Sequence, residues 1–174
     1  MSRTSVVASC IYSALKMVGQ PRKPKEIADI FHLSSTQFTK SFKYFQEVLS
    51  MATQRGLLDE HSAPSGLSST RASNYIAHPL SQLPISRSTF LQIQSIATQI
   101  ADTAEDKDLC SENMPPSLAA GVIAYVLPRC GHPEIKNTRI ASVCGVSEGT
   151  LVKCLRKLEA ADEMLKPFFP AEKK

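Results

Sequence analysis

SVVASCIYSALKMVGQPRKPKEIADIFHLSSTQFTKSFKYF runs from Ser5 to Phe45, and SLAAGVIAYVLPRCGHPEIKNTRIASVCGVSEGTLVKCLRKL runs from Ser117 to Leu158. Laid over each other at an offset of about 112 residues, the two stretches agree in residue class along most of their length. Ser5 meets Ser117, Ala8 meets Ala120 and Ile11 meets Ile123, and the turns Gly19-Gln20-Pro21 and Gly131-His132-Pro133 coincide. After one inserted residue, Ile27 and Ala28 meet Ile140 and Ala141, Ser34 meets Ser147, Lys40 meets Lys153, Phe42 meets Leu155 and Lys43 meets Arg156. One structural unit occurs twice in tandem.

Each copy reads as three helices. The first, about Thr4 to Val18 and Pro116 to Arg129, carries Ala, Ser and Gly on more than one face, so neighbours can approach it from several sides. It is expected to be the central, buried helix of its unit. Gly-x-Pro then stops it, because glycine accepts the left-handed cap and proline cannot continue the ladder. A short helix follows, about Pro24 to Phe31 and Asn137 to Cys144. Ser34 or Ser147 caps a third helix, about Ser35 to Thr53 and Glu148 to Glu159, whose Phe38, Phe42, Phe45 and Leu49, or Leu151, Leu155 and Leu158, recur at helical spacing.

Outward from the two copies, Gly56 to Pro84 is rich in Gly, Pro, Ser, Thr, Asn and His and reads as a connection, long enough to be mobile or to hold a short local helix. From Arg87 to about Asp108, Phe90, Ile93, Ile96, Ala97, Ile100, Ala101 and Ala104 mark an amphipathic helix that leads the second unit. The first unit shows no counterpart and reads as truncated on its N-terminal side. The expected organisation is all-α: a partial first repeat at 1–55, a linker at 56–86 and a second repeat at 87–174.

The order Arg139-Ile140-Ala141, Gly145-Val146-Ser147, Thr150-Leu151 has the features of a helix-turn-helix: a small residue where two helices touch, glycine at the turn and serine capping the next helix. The following helix would show Thr150, Lys153, Arg156 and Lys157 to a phosphate backbone, with Arg139 on the preceding helix. The first unit has a weaker version in Ala28, Leu33 and Ser34, followed by Lys40 and Lys43. Its loop from Lys16 to Lys25 offers Arg22, Lys23 and Lys25 as further phosphate or minor-groove contacts. Taken singly, such cations are as readily a solvated helix face, and helix-turn-helix corners also serve as packing devices. The duplication favours the binding reading.

Composition limits the remaining classes. With 43% hydrophobic residues, 174 residues can bury a sizeable core, and the net charge of +4 is compatible with a polyanionic partner. No window approaches a membrane span. Neither a Gly-rich phosphate loop, GxSxG nor a paired His/Glu metal motif is present, and the five cysteines include no CxxC pair, so neither catalysis nor a metal site is expected. Cys10, Cys110, Cys130, Cys144 and Cys154 are expected as buried, reduced thiols.

Ala8-Ser9-Cys10-Ile11-Tyr12, Gly19-Gln20-Pro21-Arg22, Lys25-Glu26-Ile27 and Phe42-Lys43 resemble the later part of the first cyclin-like repeat of general transcription factor IIB and its archaeal counterpart. Ser117-Leu118-Ala119-Ala120, Ile140-Ala141, Gly145-Val146-Ser147 and Phe168-Phe169-Pro170 resemble its second repeat. The resemblance implies a nuclear, monomeric promoter-assembly factor whose first repeat clamps the TATA-binding protein while both repeats straddle bent promoter DNA and help recruit the RNA polymerase II machinery. It implies Arg22 near the minor groove and Lys43, with Lys40, on the partner-facing helix. The family's zinc ribbon has no counterpart in the sequence, so no cofactor is expected. Where the family sets an arginine and a small apolar residue against base edges, Val152 and Gly149 stand here, and neither makes a bidentate contact to guanine. The second unit is therefore expected to hold phosphates rather than read bases. The alternative is a cyclin-like regulator that binds protein and never touches DNA.

Overall fold

The computed structural model describes residues 2–58 and 71–170, and every regular element among them is a helix. Contacts divide the chain into one unit from Met1 to Thr70 and another from Arg71 to Lys174. The first contains α1 (Arg3–Met17), α2 (Pro24–Ile30) and α3 (Ser35–Gln54). The second opens with a 3-10 turn (Ala72–Tyr75), followed by α4 (Ala77–Ser81), α5 (Arg87–Asp106), α6 (Pro115–Arg129), α7 (Asn137–Cys144) and α8 (Glu148–Ala160). It closes with α9 (Asp162–Leu165) and a 3-10 turn (Lys166–Phe168).

Serine caps set the helix starts. The Ser2 hydroxyl accepts from the Ser5 amide at 3.2 Å, and Ser147 accepts from Thr150 at 3.1 Å. At α3 the capping is reciprocal: Ser34 Oγ accepts from the Gln37 amide at 3.2 Å, while Gln37 Oε1 accepts from the Ser34 amide at 2.9 Å. Each such bond satisfies an amide that the first helical turn leaves without a partner.

In the second unit α6 is the central helix, packed by α5, α7, α8 and the Ala72–Tyr75 turn, and every residue from Leu118 to Leu127 is buried. Where α6 crosses α8, Gly121 makes the approach possible: a Cβ placed there would lie 2.5 Å from Cys154 Cβ. The first unit solves the same crossing with a different pair of small residues. Ser9 of α1 and Ser41 of α3, the counterparts of Gly121 and Cys154, hydrogen-bond through their hydroxyls at 3.2 Å. A small side chain on each helix is the shared requirement.

The expectation that α1 is buried on several sides fails. Ala8, Tyr12, Ile27, Ala28 and Phe38 form a small core, with the Tyr12 ring edge-on to Phe38 and Phe42 at 5.5 and 5.0 Å. Val7 and Ile11, however, are 49% and 39% exposed, whereas their counterparts Ala119 and Ile123 are 1% and 0% exposed. The difference has a structural cause. Only α2 and α3 pack extensively on α1 among the described residues, while α6 also has α5 and the Ala72–Tyr75 turn against it.

The second unit begins earlier than expected. Ala72, Ile76, Leu80 and Leu83, placed in the linker on composition, are all buried in its core. Arg71 fastens this segment to α5 through Asp102 at 3.0 Å, Glu105 at 3.1 Å and Asp106 at 2.7 Å, and the Ala72 amide donates to Glu105 at 2.7 Å. What remains of the expected linker between 59 and 70 lies outside the described residues. The reduced-core expectation for the cysteines also fails at Cys10, which is exposed; Cys110, Cys144 and Cys154 are buried and Cys130 is half-buried.

Both helix-turn-helix corners share one backbone. At the second, Gly145 adopts φ 55° and the Val146 amide donates to Ala141 at 3.0 Å; at the first, His32 adopts φ 52° and Leu33 donates to Ala28 at 2.8 Å. A side chain in that left-handed region is strained, and glycine is not. Replacing His32 by glycine is expected to stabilise the first unit by about 0.5 to 1 kcal/mol. Urea unfolding of the full chain measures this.

Candidate nucleic-acid and partner interface

Helix α8 is sharply two-sided. Leu151, Cys154 and Leu158 are buried, while Gly149, Lys153 and Arg156 form an exposed stripe one turn apart from each other. Nothing lies within 4 Å of a Cβ placed on Gly149, so the N-terminal end of this stripe is open. Val152 is half-buried and packs on the core, which removes it from base-edge duty as well as lacking the donors for it.

The remaining expected contacts on this unit have other employment. The Thr150 hydroxyl lies 2.7 Å from Ser147 Oγ, part of the cap, and Lys157 Nζ lies 3.5 Å from Glu112. Arg139 is exposed on α7, where it lines a groove of about 540 Å³ with Lys136, Thr138, Leu83 and Ile135. Lys153 and Arg156 are thus the exposed pair on α8 without such a role among the described contacts.

In the first unit Lys40 and Lys43 are exposed one turn apart on α3, opposite the buried Phe38 and Ser41. Lys25 is exposed in the first turn of α2, where Glu26 accepts from the Lys23 amide at 3.1 Å and fixes the loop's exit. Lys23 is half-buried. Arg22 folds back on its own loop: Nη1 donates to the Gln20 and Pro21 carbonyls, both at 3.3 Å. Lys16 lies over the Tyr12 ring at 5.8 Å.

Charge is divided somewhat unevenly, which composition alone conceals. Met1–Thr70 carries eight Lys and Arg against five Asp and Glu, a net +3, while Arg71–Lys174 carries twelve against eleven, a net +1. Most of the net positive charge therefore lies on the first unit. Counterions or an anionic partner must balance it, and its effect is felt over roughly a Debye length of 8 to 10 Å at ordinary salt.

The second unit uses its charge internally. Tyr125 donates to Asp162 at 2.6 Å, Arg129 donates to the same oxygen at 2.9 Å, and the Arg129 guanidinium stacks on the Tyr125 ring at 3.7 Å. Lys166 approaches the other Asp162 oxygen at 3.2 Å, and Phe169 packs 6.0 Å from Tyr125, which docks the chain's closing Phe-Phe-Pro on α6. The Tyr125 hydrogen bond, with Lys166 and Arg129, holds the Asp162 carboxyl below the usual carboxylate range, and burial with Asp162 nearby pushes the Tyr125 hydroxyl up. A depressed carboxyl contributes stability above its unfolded value, near pH 4, and loses it as pH falls through the folded value. Asp162→Asn is accordingly expected to flatten the acid limb of the stability curve between about pH 5 and pH 2, read from urea midpoints.

Among the described residues, no group of three or more His, Cys, Asp or Glu side chains is placed to hold a metal ion, and no helix is long and apolar enough to cross a membrane.

Residues 1–48, which hold α1, α2 and most of α3, match the family model described as a transcription factor TFIIB repeat. Across 90% of the chain, 157 residues are 28% identical to a transcription initiation factor IIB-like protein of Acanthamoeba polyphaga mimivirus, covering 32% of that protein. Transcription initiation factor IIB of Schizosaccharomyces pombe is 27% identical over 181 residues, 99% of the chain and 50% of that protein. Transcription initiation factor IIB 6 of Halobacterium salinarum is 24% identical over 160 residues, 92% of the chain and 44% of that protein. The chain spans about a third to a half of the length of these relatives. The family model covers the first unit alone, whereas the three relatives align through both units at 24 to 28% identity. The chain is thus similar to the transcription factor IIB family, and the duplicated three-helix pattern with its two capped corners is consistent with that family's cyclin-like helical repeats.

Proposed function

We propose that the chain acts in general transcription initiation, joining a complex of promoter DNA and the TATA-binding protein and helping to bring RNA polymerase to it. The observation that carries this reading is the exposed set of cations on the first unit, whose net charge is +3: Lys40 and Lys43 on α3 and Lys25 on α2. An acidic protein surface and a phosphate backbone are the partners such a field selects, and it speeds their encounter. The relatives' names point to the same process.

The two units divide the work in this reading. Lys40 and Lys43 meet the protein partner, and Arg22, Lys23 and Lys25 approach DNA phosphates. Lys153 and Arg156, with Arg139, hold phosphates from the second unit without specifying sequence. Thr150 and Lys157 serve there as cap and ion-pair residues first, and any DNA contact by Lys157 must displace Glu112. A promoter panel tests this: Lys153→Glu with Arg156→Glu is expected to weaken complex formation about tenfold on every sequence and to flatten the salt slope by about two. A loss confined to one upstream sequence would contradict the phosphate role.

A further inference from the structure

The internal repeat supplies a direct comparison for one face of α1. Val7, Ile11 and Ala14 follow one another a turn apart, across the helix from Ser9, whose hydroxyl marks the contact with α3. All three are exposed, and so is Cys10 beside them. Their counterparts on α6 are Ala119, Ile123, Val126 and Val122, and all four are buried. On α6, the side turned away from α8 is closed by α5 and the Ala72–Tyr75 turn, with α5 presenting a buried stripe that includes Ile93, Ile96, Ala97 and Ile100. The two faces are similar in bulk: valine replaces alanine at position 7, while cysteine and alanine replace valine at positions 10 and 14. Single exposed apolar residues call for no explanation, but a contiguous stripe whose repeat partner lies in a core does.

We propose that this face of α1 is a docking site for an amphipathic helix of another polypeptide, apolar along one side at the spacing of α5 and acidic along its flank. Two observations select that occupant. The second unit covers the equivalent surface with a helix of this pattern. Charge selects the flank: α1 carries Arg3 and Lys16 and no acidic residue, on a unit of net charge +3. The α5 helix itself has Asp102, Glu105 and Asp106 against one cation, Arg87. A folded second copy of the chain does not offer such a helix, because its α5 is already engaged by α6. Docking of this kind seats apolar anchors a turn apart in the stripe, so burial of apolar area drives it. The opposite charges speed the encounter and set the orientation. A helix that orders only as it binds gives up part of this gain, which keeps the affinity modest and the contact reversible.

Cys10 reports on this seat, since it is the exposed thiol while Cys110, Cys144 and Cys154 are buried and Cys130 is half-buried. The probe is a synthetic peptide of residues 86–107, the chain's own α5 with its cap, added to the full chain without DNA or the TATA-binding protein. At about four times the peptide's Kd, alkylation of Cys10 is expected to slow about fivefold, because about one chain in five remains free. Permuting the peptide's apolar positions is expected to abolish the protection. Asp102→Asn, Glu105→Gln and Asp106→Asn in the peptide are expected to weaken binding about threefold at low salt and less at high salt. In the full chain, Val7→Asp with Ile11→Asp, both on the surface and outside the small core, is expected to remove the protection with circular dichroism unchanged. No protection at about 1 mM peptide, or equal protection by the permuted one, would overturn the proposal. Protection that grows with the chain's own concentration in the absence of peptide would overturn it too, by giving the face to a second copy.

Discussion

Gly121→Ala is expected to destabilise the second unit by about 2 to 3 kcal/mol, and Gly121→Val by more, enough to consume much of a domain's usual margin. The cause is the α6–α8 crossing. An added Cβ lies 2.5 Å from Cys154 Cβ and 3.3 Å from both the Cys154 carbonyl carbon and the Leu155 nitrogen, so the atoms that must move include the backbone of α8. Side-chain repacking alone cannot relieve that clash, and α8 must lift from α6. Leu151 and Leu158, both 0% exposed, would lose contact with it. Gly149→Ala, with nothing within 4 Å of its Cβ, is the matched control and should be neutral or stabilising. Urea unfolding of the three variants reads the difference; equal midpoints for Gly121→Ala and wild type would refute the close crossing.

Reversing both exposed lysines of α3, Lys40→Glu with Lys43→Glu, is expected to weaken assembly with the TATA-binding protein on DNA by about 100-fold or more at low salt. Two charges change sign, a shift of four on a unit whose net value is +3, so the first unit's net charge falls to −1 while its core is untouched. Most of the loss should appear in the association rate and shrink as salt rises, the signature of long-range attraction. Stopped-flow anisotropy with labelled promoter DNA separates the rates. A change confined to dissociation and insensitive to salt would place these lysines in a local packed contact instead.

How much of this is legible in the sequence depends on whether a feature is local. Helix starts are, because Ser34, Ser86 and Ser147 cap within three residues of themselves. The repeat is legible because small residues at the crossings, Ser9 with Ser41 and Gly121 with Cys154, recur at nearly constant offset. The segment from Arg71 to Leu83 is not: its helices are one turn each, Pro79 interrupts their pattern, and their order comes from the Arg71 cluster and burial against α5 and α6. Burial of α1 is illegible for the same reason, since Val7 and Ile11 are as apolar as buried residues and only the absence of a covering helix among the described residues exposes them. Of the expected interface, the exposed cations Lys25, Lys40, Lys43, Arg139, Lys153 and Arg156 stand where the helical pattern puts them. The other engagements of Arg22, Thr150 and Lys157 depend on contacts that no spacing reveals.

The central claim is entry into a promoter complex. A native gel with labelled TATA-containing DNA, the TATA-binding protein and the full chain tests it at low salt. A slower-migrating complex that needs both proteins, with only weak retention of free DNA by the chain alone, is the predicted result. Failure to shift the complex under those conditions, with the chain folded by circular dichroism, would contradict it.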